Sequence, residues 1–278
     1  MSRTQKPLRL IAPRGGFVGK LRLVLVVVAA MLLVAAPAPQ LARASDPILV
    51  GDYVRVVPNK AAIRAGAAPT EPVVYRMYKN EIAKVLSGPY GCPVPPEECT
   101  RGWYEVQYRK WSGFMRQDRF AYTGLAGTAI AARNPRIVVV SLARQQLEAY
   151  ENGILVLVTP VTTGRRYEPE LVTPTGRTEV LAKLSPYTFN SPWPEGHPFW
   201  YPSITVRYAI RFREGGYYLH DTPSRPRGGF GYGTDVPHED PDGVTRDGSR
   251  GCVNMPVWAV TKLWGWIVEG DPVKVIEG

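Results

Sequence analysis

Ser249-Arg250-Gly251-Cys252-Val253-Asn254 stands just ahead of an apolar series, Val257, Val260, Leu263, Trp264 and Ile267, that recurs at helical spacing. Pro256 suits the first turn of that helix and Gly270 its stop. Pro272–Ile276 reads as a closing strand. A helix N-terminus stabilises a thiolate through its unpaired N–H groups and its dipole. Gly251 lets the backbone approach a ligand closely. On this reading Cys252 is a nucleophile; the alternative is a buried cysteine behaving as a small hydrophobe.

The other cysteines sharpen the choice. Cys92 and Cys99 bracket Pro93-Val94-Pro95-Pro96-Glu97-Glu98. In an oxidising compartment, cysteines this close in a Pro-rich loop pair as a disulfide; a redox or metal pair is the alternative, with no His nearby. Cys252 is then the thiol left over. A nucleophilic thiol needs a base, and His is the usual one. The chain has three: His197, His220 and His238. His220 follows the strand Tyr217-Tyr218-Leu219, and a strand end positions a catalytic group better than a loop does. His197 lies in a Pro/Trp-rich loop and His238 in a Gly/Asp/Pro-rich one. A zinc site built from Cys252, His220 and His238 would match no recognised ligand spacing.

Upstream, the chain reads as mainly β with one clear helix. Residues 46–122 carry short Val- and Tyr-rich strands at Tyr53–Val57, Val73–Tyr78, Ile82–Leu86, Trp103–Tyr108 and Gly113–Met115, separated by Gly, Pro and Asn clusters. That pattern predicts a small β-barrel. Residues 123–135 are Ala/Gly-rich and read as a linker. A second domain over 136–278 opens with the strand Arg136–Ser141. Gln146–Tyr150 and Ile154–Val158 follow as a hairpin turned by Asn152-Gly153. Further strands are expected at Gly176–Leu184, Ser203–Phe212 and Tyr217–Leu219.

Leu23 to Ala36 is a continuous apolar run of 14 residues, preceded by a basic stretch and followed by Ala42-Arg43-Ala44. These are the parts of a secretory signal peptide over 1–44, cleaved before Ser45. The run is short for a bilayer span of roughly 20 residues; an uncleaved signal anchor is the alternative and would be the protein's one membrane contact. Either way the remainder is exported. The formal charge of +10 has the same origin. Residues 1–44 hold seven basic residues and no acidic one, and taking those seven from the 34 leaves 27 against 24 acidic residues. So small an excess excludes nucleic acid as a partner class.

His220-Asp221, then Ser249-Arg250-Gly251-Cys252-Val253-Asn254, resembles the signature of the YkuD-type L,D-transpeptidases: a His, a gap, then Ser/Thr-His-Gly-Cys-x-Arg/Asn. Thr173-Pro174-Thr175-Gly176 resembles the family's Thr-Pro-x-Gly turn, and Phe230-Gly231 falls in the gap where relatives carry Phe-Gly. The likeness covers about residues 136–276. Trp103–Tyr108 with Ser112–Met115 resembles the end of a bacterial Src-homology-3-like domain. The fold implied is such a barrel followed by a β-sandwich catalytic domain.

The activity implied is formation of direct cross-links between third-position diamino acids of peptidoglycan stem peptides, through a thioester on Cys252 with His220 as base. The stem peptides are both donor and acceptor, and carbapenems are expected to acylate Cys252. The resemblance implies neither cofactor nor metal. It makes the N–H groups of Gly251 and Cys252 oxyanion donors, Asp221 an orienter of His220, and Ser249, Arg250 and Asn254 positioning residues. An L,D-carboxypeptidase and a non-catalytic wall-binding protein stay open as alternatives. Two departures stand out. Arg250 occupies the place of the motif's second His and suits a substrate carboxylate. The gap to Cys252 is long, and residues 222–248 read as an enlarged lid.

Overall fold

Period-two alternation builds the first half of the protein. Val54 and Val56 are buried while Tyr53 and Arg55 between them are half-buried, and Tyr104, Val106 and Tyr108 repeat the pattern. The computed structural model describes residues 47–92, 99 and 101–278; the expected signal peptide lies outside the described residues. Seven strands form one antiparallel sheet: β1 (Tyr53–Val56), β2 (Lys60–Arg64), β3 (Val73–Tyr78), β4 (Ile82–Tyr90), β5 (Trp103–Tyr108), β6 (Trp111–Arg116) and β7 (Phe120–Tyr122). Their order is β3-β2-β6-β5-β4-β1-β7. The sheet curls round one core in which Val54, Ile63, Met77, Val106, Met115 and Phe120 meet. β2 was not expected: Lys60-Ala61-Ala62-Ile63-Arg64 is poor in strand formers, and its place comes from Ala61 and Ile63 packing inward. Cys92 is joined to Cys99, with Cα atoms 5.8 Å apart, and the Cys252 thiol is free.

Residues 123–135 carry a four-residue helix, α1 (Thr128–Ala131), and are tightly held. The N–H groups of Ala126 and Gly127 donate to the two oxygens of the buried Glu148 carboxylate, at 2.8 and 2.7 Å. Gln146 and Tyr150 donate to the same carboxylate, so this buried charge is fully surrounded by donors.

The second half is a sandwich. Its first sheet holds β8 (Arg136–Ser141), β9 (Gln146–Glu151), β10 (Ile154–Pro160), β11 (Gly176–Glu179) and β20 (Pro272–Ile276), ordered β10-β9-β8-β20-β11. Its second holds β12 (Ala182–Leu184), β15 (Ala209–Arg213), β16 (Tyr217–Asp221) and β19 (Val253–Met255), ordered β12-β15-β16-β19. β13 (Tyr187–Phe189) pairs β14 (Ile204–Val206), and β17 (His238–Glu239) pairs β18 (Thr245–Arg246). Helix α2 (Val257–Trp266) buries Ala259, Val260 and Leu263 in the core shared by both sheets.

Two expected strands are broken in the structure. Gly176–Leu184 divides at Val180, whose N–H turns to the Asp271 carbonyl, and the two pieces join different sheets. Ser203–Phe212 divides at Arg207-Tyr208, whose N–H groups are taken by the Asp221 carboxylate.

The two halves meet at the β3–β4 turn. Glu81 is buried and accepts from Arg227 Nε and Nη2 at 2.6 and 3.0 Å. Asn80 Nδ2 donates to the Tyr232 carbonyl at 3.3 Å. A Cβ on Gly231 would lie 2.5 Å from the Asn80 side chain, so this close approach requires glycine.

Candidate active site

Parallel pairing of β16 with β19 places the expected residues together. Leu219 faces Val253, and both are fully buried in the sandwich core. Alternation then turns His220, Asn254 and Cys252 toward the opposite face. There they line one cleft of about 500 Å³ with Ser249, Arg250 and Asp221. The Phe189 ring lies over His220, centroids 4.7 Å apart.

One expectation is corrected here. Cys252 is not at the helix N-terminus, because β19 intervenes and α2 begins only at Val257. The helix dipole acts within about one turn, so it does not reach the thiol. Burial instead pushes the Cys252 thiol up to about 11. Cys252 packs against the apolar group of Val206, Ala209 and Tyr218, and Sγ donates to the Gly216 carbonyl at 3.7 Å. Burial likewise moves the His220 imidazole below its ordinary value, against the opposing effects of the Asp221 carbonyl and charge. Both shifts favour the uncharged forms.

His220 Nδ1–H donates to the Asp221 backbone carbonyl at 2.7 Å, which leaves Nε2 as the ring's acceptor. The Asp221 carboxylate is occupied elsewhere, accepting from the Arg207 and Tyr208 N–H groups at 3.0 Å. Asp221 thus meets His220 through its backbone carbonyl and not its carboxylate.

The loop before Cys252 is held from inside. Ser249 Oγ donates to the Cys252 carbonyl and accepts from the Gly251 N–H at 3.1 Å. Of the expected oxyanion pair, the Gly251 N–H thus has a partner inside the loop. Thr173 Oγ1 donates to the Gly251 carbonyl and accepts from the Gly164 N–H, both at 2.8 Å. Gly251 has φ +103°, and a Cβ there would sit 2.8 Å from the Tyr217 ring. The Asn254 backbone bonds both ways with Thr162 at 2.8 Å, while Asn254 Oδ1 is buried without a partner.

Arg250 lines the cleft and also braces its wall. Its Nε donates to the Phe199 carbonyl at 2.7 Å, and its guanidinium lies 4.9 Å from the Tyr201 ring centre. It fastens the Pro/Trp-rich loop beside the cleft. His197 belongs to that loop and accepts from the Phe199 N–H at 3.1 Å. His238 is engaged at both nitrogens, by the Val236 carbonyl at 2.8 Å and Asp240 at 3.0 Å. The expected lid, 222–248, is pinned at its base. Arg225 donates to Thr162 Oγ1, the Gly229 carbonyl and the Asp247 carbonyl at 2.7–3.0 Å. Arg246 pairs with Asp240 and Asp242. The sequence reading did not assign roles to Thr162, Thr173 or Arg225. Only Thr173 carried a signal, in Thr173-Pro174-Thr175-Gly176.

The L,D-transpeptidase catalytic domain family, YkuD, matches residues 135–275. No curated protein matches the chain. Among solved structures, the Enterococcus faecium L,D-transpeptidase is 25% identical over 51% of this chain and 50% of its own, with TM-score 0.41. Its catalytic domain acylated by ertapenem is 23% identical over 51% of this chain and 98% of its own, TM-score 0.38. A Mycobacterium smegmatis L,D-transpeptidase is 17% identical over 80% of this chain and 99% of its own, TM-score 0.42. The chain thus spans about half the length of the full E. faecium structure it matches. With the family's domain extending over half of its residues, this chain belongs to the YkuD L,D-transpeptidase catalytic domain family.

Proposed function

We propose that the protein is an exported L,D-transpeptidase that joins third-position diamino acids of neighbouring peptidoglycan stems. The observation that carries the reading is the convergence, in one cleft at adjacent parallel strands, of a free thiol and an imidazole whose Nε2 is unengaged among the described residues. Cys252 Sγ attacks the carbonyl of the donor's third residue as His220 Nε2 takes the thiol proton. The carbon–nitrogen bond to the terminal D-alanine breaks, and His220 returns the proton to the leaving amine. The side-chain amine of a second stem then attacks the thioester, releasing Cys252 and forming the cross-link.

The resting charges favour one version of the first step. A thiol pushed up to about 11 is mostly protonated at pH 7. Both shifts disfavour a preformed thiolate–imidazolium pair, so in this reading proton transfer accompanies attack. The Cys252 N–H is the oxyanion donor left once Ser249 has taken that of Gly251. The Nδ1–H bond to Asp221 holds the tautomer and supports the imidazolium formed in transit.

Muropeptide analysis after incubating the mature protein with tetrapeptide-containing peptidoglycan tests the reading. Dimers linked through two third-position residues are expected. Tripeptide monomers alone would mean that water is the acceptor, and unchanged muropeptides would refute the enzyme.

A further inference from the structure

A second cavity, of about 290 Å³, lies between the barrel and the catalytic half. Its charge is one-sided. Lys79, Arg109, Arg225 and Arg227 line it, against Glu81 alone, and Glu81 is already bound to Arg227. Lys79, Arg109 and Arg225 form no salt bridge among the described residues. Among the described residues Arg225 hydrogen-bonds to neutral oxygens only, and burial moves its guanidinium below its ordinary value against the opposing charges of Asp240, Asp247 and Asp242. A buried guanidinium with no carboxylate in direct contact is costly, and an anionic ligand would offset that cost.

Arg109 adds a second observation. It begins the two-residue turn between β5 and β6, at φ +56°, where Asn or Gly is the favoured residue. Its guanidinium instead reaches across to the catalytic half and lies 4.6 Å from the Trp258 ring centre. Backbone strain kept at a cavity wall is a pointer to use. The remaining wall is apolar: Phe230, Pro160, Pro223 and Trp258. Thr222 and Arg225 line both this cavity and the cleft that holds Cys252, so the two adjoin. The Thr222 hydroxyl is buried without a partner. The start of α2, which has no side-chain cap, adds its positive end to the same wall.

We infer that this interdomain cavity binds the carboxylate-bearing segment of the acceptor stem peptide, so that the barrel completes the acceptor site. The inference rests on the transpeptidase reading. It explains why the cations come from both halves: Lys79 and Arg109 from barrel turns, Arg225 and Arg227 from the loop beside the active site. The carboxylate sits among the guanidinium and ammonium groups, and the methylene chain of the diamino acid lies on Phe230 and Trp258. The amine is thereby delivered across Thr222 toward the thioester.

The test separates binding from chemistry. The probe is a stem tripeptide whose third residue is a diamino acid with a free carboxylate, beside the same tripeptide as its carboxamide. Each is titrated into the mature Cys252→Ala protein while the Trp258 indole N–H resonance is followed by NMR. The carboxylate form is expected to shift Trp258 and the carboxamide to bind at least about tenfold more weakly, the scale of one lost charge-assisted contact. Lys79→Glu and Arg109→Glu should each weaken the carboxylate form by a similar factor, with the rest of the spectrum unchanged. An unmoved Trp258, or equal binding of the two peptides, overturns the proposal without reference to any variant. Carbapenem acylation of the parent protein reads the chemistry separately. A parent that binds the tripeptide but is never acylated loses the transpeptidase reading and keeps the anion cavity.

Discussion

A protonated thiol beside a neutral imidazole makes the pH dependence of acylation a specific expectation. Because the His220 value lies below the ordinary imidazole, near 6.5, the base stays unprotonated as pH falls through 6.5. The acylation rate should hold a plateau there and decline only at lower pH; an acid limb centred at or above 6.5 would contradict the assignment. The same residues give a mass test. The parent should gain one carbapenem, Cys252→Ala none, and His220→Ala should react about 10²–10⁴-fold more slowly. His238→Ala should react nearly as the parent, since its two nitrogens serve the 222–248 loop. Asp221 separates geometry from charge. Asp221→Ala removes the acceptor of two backbone N–H groups and should lower stability by about 1–3 kcal/mol. Carbapenem acylation by the folded fraction should change only a few-fold, because the carbonyl that orients His220 remains.

Strand pairing explains why the motif works, and why part of it was legible. β16 was readable because Tyr217-Tyr218-Leu219 sets apolar residues that must face the core next to His220, whereas for β19 only the chemistry of Cys252 was readable and not the strand. Their parallel register was not readable, since it depends on a crossover of more than 30 residues through the 222–248 loop. The helix was legible by its spacing, but the strand before it was too short to register, and that misplaced Cys252 onto a dipole it does not touch. Gly251 was read as a point of close approach to a ligand; what the structure places close to it is the Tyr217 ring. Thr173 belongs to this scale. Thr173→Val keeps the shape and loses both hydrogen bonds to the loop that carries Cys252. We expect a loss of about 1–3 kcal/mol in thermal unfolding. Acylation should slow with it, while an exposed Thr205→Val control should change neither.

Both halves should unfold as one body. Buried Glu81, the Asn80–Tyr232 contact and the Glu148 carboxylate tie barrel, connection and sandwich at separate points. Calorimetry of the mature protein is expected to give one transition. Glu81→Ala should lower it by about 1–2 kcal/mol, a modest figure because Arg227 remains partly in water. Two resolved transitions in the parent would show that the halves are energetically independent.

The raised thiol value has a consequence for lifetime as well as for rate. Peroxides and disulfides are attacked by the thiolate form, so a cysteine that stays protonated reacts with them slowly. Outside the cytoplasm, where we propose this protein works, a low thiol value would favour steady loss to sulfenic acid or mixed disulfides. With burial pushing the Cys252 thiol up to about 11, the proposed nucleophile is expected to form chiefly when His220 draws the proton away toward a bound carbonyl. The free protein should then react slowly with peroxide at pH 7, and rapid oxidation of Cys252 would contradict this.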